Sequence, residues 1–171
     1  NAVSYDGDAL WMHVVAGITG VDDRRGRVVP DLLLALVLVP VYGLVGVTVA
    51  GRLDLVSAAF GLSVALLGAG LGVSSVMNVL LPYPVPEPGG SPFSPPPGAA
   101  GIAIVAQSAA SAGTLALSLP VILLARVAWS GSAWASWSVA LLGVVIGASA
   151  AGLGTRVGAR ILDRRAPELL T

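Results

Sequence analysis

Four long stretches without a charged residue constrain this chain more than any other feature. No Asp, Glu, Lys or Arg occurs in 32–51, 55–86, 88–125 or 127–155, and the shortest of these stretches has 20 residues. A helix that crosses the hydrocarbon core of a bilayer needs about 20 mostly apolar residues. A soluble helical protein would need polar faces at helical spacing, which these stretches lack. The sequence therefore predicts an integral membrane protein.

The composition and the periodicity indicate that the spans are helices. Only 11% of the residues are charged, whereas a soluble domain has about 25%. In lipid every backbone polar group must be satisfied within the protein, by a helix or a closed β-barrel. A barrel would show segments of about ten residues that alternate apolar and polar side chains, and none occur here. We therefore predict an all-α fold with transmembrane helices at about 32–50, 55–80, 99–125 and 133–153.

These spans divide the chain into a polar segment at 1–31, a transmembrane region at 32–153 and a basic tail at 154–171. The chain has no lysine, and most of its arginines fall on the side of the membrane that holds both termini. Only Arg52 and Arg126 fall on the other side, so the positive-inside rule places both termini in the cytoplasm. The predicted anchors at this inner face are Arg24, Arg25, Arg27, Arg156 and Arg160.

The polar segment contains the sequence "DGDALWMHVVAGITGVDDRRGR", from Asp6 to Arg27. Its apolar residues fall on one side of a helix too short to span, which is typical of a helix that lies in the membrane surface. Gly17 and Gly20 are expected to end this helix, and "DDRRGR" is expected to turn the chain into the first span. The apolar stripe consists of Leu10, Trp11, Val14 and Val15.

Two further segments lie outside the spans. The loop 82–98 holds eight of the twelve prolines, so it is not helical. It is interpreted either as a docking strap for a partner or as a stiff connector between two spans. The tail is predicted to continue the fourth span as a short basic helix that anchors to anionic headgroups and ends at Pro167.

The residue inventory excludes several kinds of chemistry. Without lysine there is no Walker A site for ATP. With one histidine, His13, and no cysteine there is no zinc ligand cluster and no nucleophile elbow. Zero net charge offers no electrostatic support for binding nucleic acid. The chain is thus predicted not to be an enzyme and to hold no cofactor of its own.

Small and weakly polar residues are what remains inside the spans. Gly68 and Gly72, and likewise Gly143 and Gly147, have G-x-x-x-G spacing, which lets helices approach closely. Ordinary helix packing is one interpretation, and a cavity wall or dimer seam is the other. Pro40 and Pro120 are expected to kink their helices. Polar candidates for packing or for a pathway are Gln107 and Ser111.

The order of an "N…YDG…W" segment, a surface helix, a basic "RGR" and four spans resembles the latter part of a type 2 ABC exporter permease. Such permeases occur in bacterial drug and antibiotic exporters of the plasma membrane. "PYP" at 82–84 and "PF" at 92–93 resemble their inner loop. The resemblance implies that residues 6–17 form a coupling helix and that the spans are helices three to six of a six-helix unit, with the first two upstream of Asn1.

The resemblance also implies partners and a function. A separate ABC ATPase subunit would bind ATP and Mg²⁺, and a second permease copy or pseudo-repeat would complete the path for a hydrophobic or amphipathic substrate. Two alternatives remain, namely a secondary transporter or channel component and a non-transporting assembly protein that docks through its Pro-rich loop. The residues expected to couple to the ATPase are Asp6, Gly7, Leu10, Trp11 and Val14.

Overall fold

The computed structural model describes residue 12 and residues 15–86 and 96–169, and this part of the chain is helical without any strand. A short 3-10 turn, Leu53–Leu55, joins the first helix to the second. The four long helices are α1 (Gly20–Val49), α2 (Val56–Leu80), α3 (Ala99–Trp129) and α4 (Ala133–Leu169).

Each of the four helices is long and apolar enough to cross a membrane. The prediction of an all-α fold with four helices that could span a membrane is therefore confirmed for the described residues. The predicted surface helix is not, because most of its residues lie outside that part of the chain. The coupling candidates Asp6, Gly7, Leu10, Trp11 and Val14 all do.

The first helix begins earlier than predicted. Thr19 caps α1, and its hydroxyl oxygen accepts a hydrogen bond from the Asp22 amide at 3.2 Å. Asp22 and Asp23 occupy the first turn, where carboxylates suit the helix dipole. The expectation that "DDRRGR" forms a turn and that Gly20 ends a preceding helix is therefore wrong, because this sequence supplies the first two turns of α1.

Helix α3 extends beyond its predicted span, and α4 continues into the basic tail as predicted but passes its predicted end. Arg126 lies within the last turn of α3, so the connection to α4 is a short turn at 130–132 in which Gly131 has a φ of 93°. The helix α4 runs to Leu169 and passes Pro167. A proline close to a helix end removes only one hydrogen bond and does not prevent the last turn from closing.

Helix α2 lies at the centre of the bundle, and α4 packs along most of its length. The core contains mainly small and β-branched side chains, among them Ala58, Ala65, Val121 and Val139. In contrast, α1 contacts α2 and α4 over a limited area, and most of its leucines and valines are exposed. The molecule is thus a tight α2–α4 pair with α1 and α3 attached to it.

Candidate functional site

The α2–α4 seam brings the backbones of the two helices into direct contact. A Cβ atom built on Gly68 would lie 2.2 Å from the Gly147 carbonyl oxygen, and one built on Gly147 would lie 2.4 Å from that of Val64. Real Cβ atoms do not approach other atoms so closely, so only hydrogen fits at these positions. Equivalent close contacts occur at Gly61, Gly72, Gly143, Gly154 and Gly158.

The structure therefore places all four glycines of the two G-x-x-x-G motifs in one interface within the chain. Gly68 and Gly72 on α2 face Gly147 and Ala150 on α4, and Gly143 faces Gly61. Close approach of helices gains van der Waals contact, the main attraction between helices in lipid. The seam is thus the most extensive helix–helix contact among the described residues.

Gln107 and Ser111 lie together on a different surface, the outward face of α3. Both side chains are exposed, as is that of Ser108 beside them. The opposite face of α3 packs inward, since Ala106 is buried and a Cβ on Gly113 would lie 3.3 Å from the Val73 side chain on α2. The polar α3 face, defined as Gln107, Ser108 and Ser111, consequently points away from the other described helices.

Ion pairs within the start of α1, and hydrogen bonds that join α1 to α4 and α4 to α2, lie together at one end of the bundle. Asp23 contacts Arg24 and Arg27 at 2.8 Å each. The Gly20 amide donates to the Asp163 carboxylate at 2.8 Å, and Arg165 donates to the Val79 carbonyl at the end of α2 at 2.9 Å. We call this the charged end of the bundle.

The arginines predicted as anchors fall into two groups, those in ion pairs of the charged end and those that are exposed. Arg24 is only 2% exposed, and Arg27 shares the carboxylate of Asp23 with it. By contrast, Arg25, Arg156 and Arg160 are exposed. The roles of Asp163 and Arg165 were not predicted from the sequence, because their partners Gly20 and Val79 are far away in the chain. The density of charged residues at this end was the one signal of a cluster.

A smaller polar clip lies at the opposite end of the bundle. Arg52 donates to Asp54 at 2.8 Å and to the Trp129 carbonyl at 3.0 Å. Its guanidinium carbon also lies 5.0 Å from the centre of the Trp129 ring, within cation–π range. The hydrogen bond with Asp54 raises the pKa of Arg52 above its ordinary value. The clip fixes the α1–α2 connection against the end of α3, where Trp129, Trp134 and Trp137 are exposed.

A large apolar groove opens between α1, α2 and α4 near the tryptophan-rich end. Its volume is about 670 Å³, and Ser57 is the one lining residue with a polar side chain other than the indole of Trp137. A space of this size and character can hold an apolar or amphipathic molecule. Its walls include Pro40 and Leu44 of α1, Phe60 of α2, and Trp137, Leu141 and Val144 of α4.

No group of three or more His, Cys, Asp or Glu side chains that could hold a metal ion occurs among the described residues. His13 lies outside them. The described surfaces offer packing, hydrogen bonding and ion pairing.

These features define the class of the protein: it is a multi-pass helical membrane protein built around a glycine-lined helix pair. Comparison with known proteins adds no family, because no family model, no curated protein and no solved structure matches the chain.

Proposed function

We propose that the chain is the latter part of the transmembrane permease of an ATP-driven exporter. It forms part of the path for a hydrophobic or amphipathic substrate and works with a separate ATPase subunit. The observation that carries this proposal is the polar α3 face, where Gln107 and Ser111 are turned away from the rest of the unit.

The cost of placing an amide in lipid explains why this face matters. Gln107 lies eight residues after Ala99, about 12 Å along α3, within the uncharged stretch 88–125. A side-chain amide without a partner costs several kcal/mol in a hydrocarbon environment. Polar side chains in spanning helices therefore face other helices or water-filled spaces. A substrate path shared with a second permease copy or pseudo-repeat satisfies both Gln107 and Ser111.

The apolar groove supports a hydrophobic or amphipathic substrate. A groove of about 670 Å³ whose lining residues are almost all apolar favours molecules that partition into the bilayer. No ionisable side chain lies in its lining. A proton- or ion-coupled carrier commonly needs such groups within the membrane, so an external energy source suits this chain better than a coupled ion.

ATP hydrolysis belongs to a partner in this proposal. The chain has no lysine for a Walker A site, and the resemblance to ABC exporter permeases assigns ATP and Mg²⁺ to a separate subunit. The same resemblance assigns the contact with that subunit to residues 6–17. We further propose a bacterial plasma membrane location with both termini in the cytoplasm, supported by the arginine distribution. The charged end would then face the ATPase.

A negative charge placed on the apolar stripe should uncouple ATP hydrolysis from transport. We expect Leu10→Glu with Trp11→Glu to lower ATP-driven transport at least tenfold. In the proposal these side chains are apolar anchors buried against the ATPase subunit, and a carboxylate is costly to bury there. The measurement is ethidium movement and ATP hydrolysis in vesicles that contain the complex as purified from its own membranes. Met12→Glu is the matched control, since residue 12 lies off the stripe. Unchanged transport in the double variant would refute the coupling assignment.

Removal of the amide on the α3 face should impair the path without harming the fold. Gln107→Leu is expected to reduce ethidium transport about tenfold, whereas Gln107→Asn retains the amide and much of the activity. The thermal midpoint should stay unchanged, because the Gln107 side chain is exposed on α3. Ser138→Ala is the control, since the Ser138 hydroxyl donates to the Trp134 carbonyl of its own helix at 2.9 Å. A large fall in stability with Gln107→Leu would instead make the residue a packing element.

A further inference from the structure

A second groove lies between α1 and α4 at the charged end of the bundle. It has a volume of about 280 Å³, and it differs from the large groove in having two arginines in its lining. We call it the arginine groove. Its lining consists of Val21, Arg25, Val28, Val29, Leu32, Ala151, Gly152, Thr155 and Arg156.

The two arginines of this groove have no anionic partner in the described part of the chain. Arg25 and Arg156 are exposed, and the ion pairs there involve Arg24, Arg27 and Arg52 instead. Asp22, which lies three residues before Arg25 on α1, already accepts a hydrogen bond from the Thr19 hydroxyl at 2.6 Å. Two unneutralised guanidinium groups at one groove favour an anion, and guanidinium geometry suits phosphate oxygens.

The remaining lining residues favour an anion that carries an apolar chain. Val28, Val29 and Leu32 of α1 face Ala151 and Gly152 of α4 across the groove. The Thr155 hydroxyl donates to the Ala151 carbonyl at 2.6 Å, so this donor is already used within the helix. A free phosphate ion would gain nothing from these walls, whereas an acyl chain would bury them from water.

The position of the arginines along the helices matches the boundary of a bilayer. Arg156 is the first charged residue after the uncharged stretch 127–155. Arg25 lies seven residues before Leu32, about 10 Å along α1. Both guanidinium groups therefore lie at headgroup depth when the apolar parts of α1 and α4 lie in hydrocarbon, and Leu32 and Gly152 lie on the hydrocarbon side.

We propose that the arginine groove is a binding site for one anionic phospholipid. Arg25 and Arg156 hold the headgroup phosphate from two sides, and an acyl chain lies along Val29, Leu32 and Gly152. The bound lipid fills the gap between α1 and α4, whose direct contact is limited. This site differs from general attraction of the basic tail to the membrane, because Arg160 and Arg164 lie outside its lining.

Native mass spectrometry of the full protein, purified in mild detergent with phosphatidylglycerol and phosphatidylcholine present in equal amounts, tests the site. We expect the wild type to retain one phosphatidylglycerol per chain in preference to phosphatidylcholine. Arg25→Gln with Arg156→Gln should lower this preference at least tenfold, given the usual contribution of a basic residue near anionic lipid. Arg160→Gln with Arg164→Gln changes the net charge equally and should alter the preference less than about twofold. An equal loss in both double variants would overturn the proposal.

A second pair of variants tests the acyl wall without changing any charge. A Cβ on Gly152 meets nothing within 4 Å, so Gly152→Leu can fold and should fill the groove. We expect it to lower phosphatidylglycerol retention at least fivefold. Gly26→Leu, equally free of close neighbours but outside the groove lining, should leave retention unchanged. Unaltered retention in Gly152→Leu would show that no acyl chain lies in the groove. Displacement of the lipid by inorganic phosphate would show that the two arginines bind phosphate alone, and either result would overturn the proposal.

Discussion

Replacing Gly68 by alanine is expected to lower the free energy of unfolding by about 2 to 3 kcal/mol. The added methyl carbon would lie 2.2 Å from the Gly147 carbonyl oxygen and 2.5 Å from two further Gly147 backbone atoms. Backbone cannot move aside as a flexible side chain can, so α2 and α4 must separate along the seam. The loss of van der Waals contact then outweighs the better intrinsic helix propensity of alanine.

Gly70 supplies the matched control on the same helix. It lies two residues from Gly68, and a Cβ there would meet only a methyl of Thr114, at 3.9 Å. Gly70→Ala should therefore keep the stability within about 0.5 kcal/mol of wild type or raise it slightly. The measurement is unfolding by sodium dodecyl sulfate in mixed micelles, followed by far-ultraviolet circular dichroism. Equal effects of the two alanines would refute direct backbone contact in the seam.

Neutralising Asp23 is expected to destabilise the charged end by about 3 kcal/mol. The Asp23 side chain is 6% exposed, and it contacts the 2% exposed guanidinium of Arg24 and that of Arg27 at 2.8 Å each. Asp23→Asn keeps the shape but removes the negative charge, which leaves a buried cation without this compensation. Breaking a buried ion pair in this way costs far more than breaking an exposed one.

Asp31→Asn is the control for this change, because Asp31 is an exposed aspartate of the same helix. We expect it to change stability by less than about 0.5 kcal/mol. The same unfolding measurement applies. If Asp23→Asn matched Asp31→Asn, the cluster at the start of α1 would contribute no net stability.

The spans could be predicted from the sequence because membrane insertion depends on a property that is local along the chain. A stretch without charge is visible in any window, so 55–80 and 99–125 lie close to the observed α2 and α3. The ends of the helices were harder to predict, because a cap such as Thr19 depends on the geometry of a single side chain. The polar "DDRRGR" suggests a turn because of its charge. It is helical instead, since carboxylates are favourable in the first turn of a helix.

The partners of the motifs could not be predicted, because spacing shows only that a helix has a small face. Gly68 and Gly147 each belong to a recognisable motif, but nothing in their spacing says that they face each other. The same holds for Gly20 and Asp163, which are 143 residues apart. Gln107 is visible in the sequence as the one amide of its span, but its outward direction follows only from the packing of Gly113 against Val73.

The claim that this chain moves substrates for an ATPase is tested most directly by transport in a defined membrane. The full protein, purified with its partners from its own membranes, is reconstituted into vesicles, and ethidium fluorescence is followed on addition of ATP. The account predicts ethidium movement that needs ATP, that stops when the co-purified ATPase is removed, and that falls about tenfold in Gln107→Leu. Ethidium movement driven by a proton gradient without ATP, or purification with no ATPase at all, would contradict it.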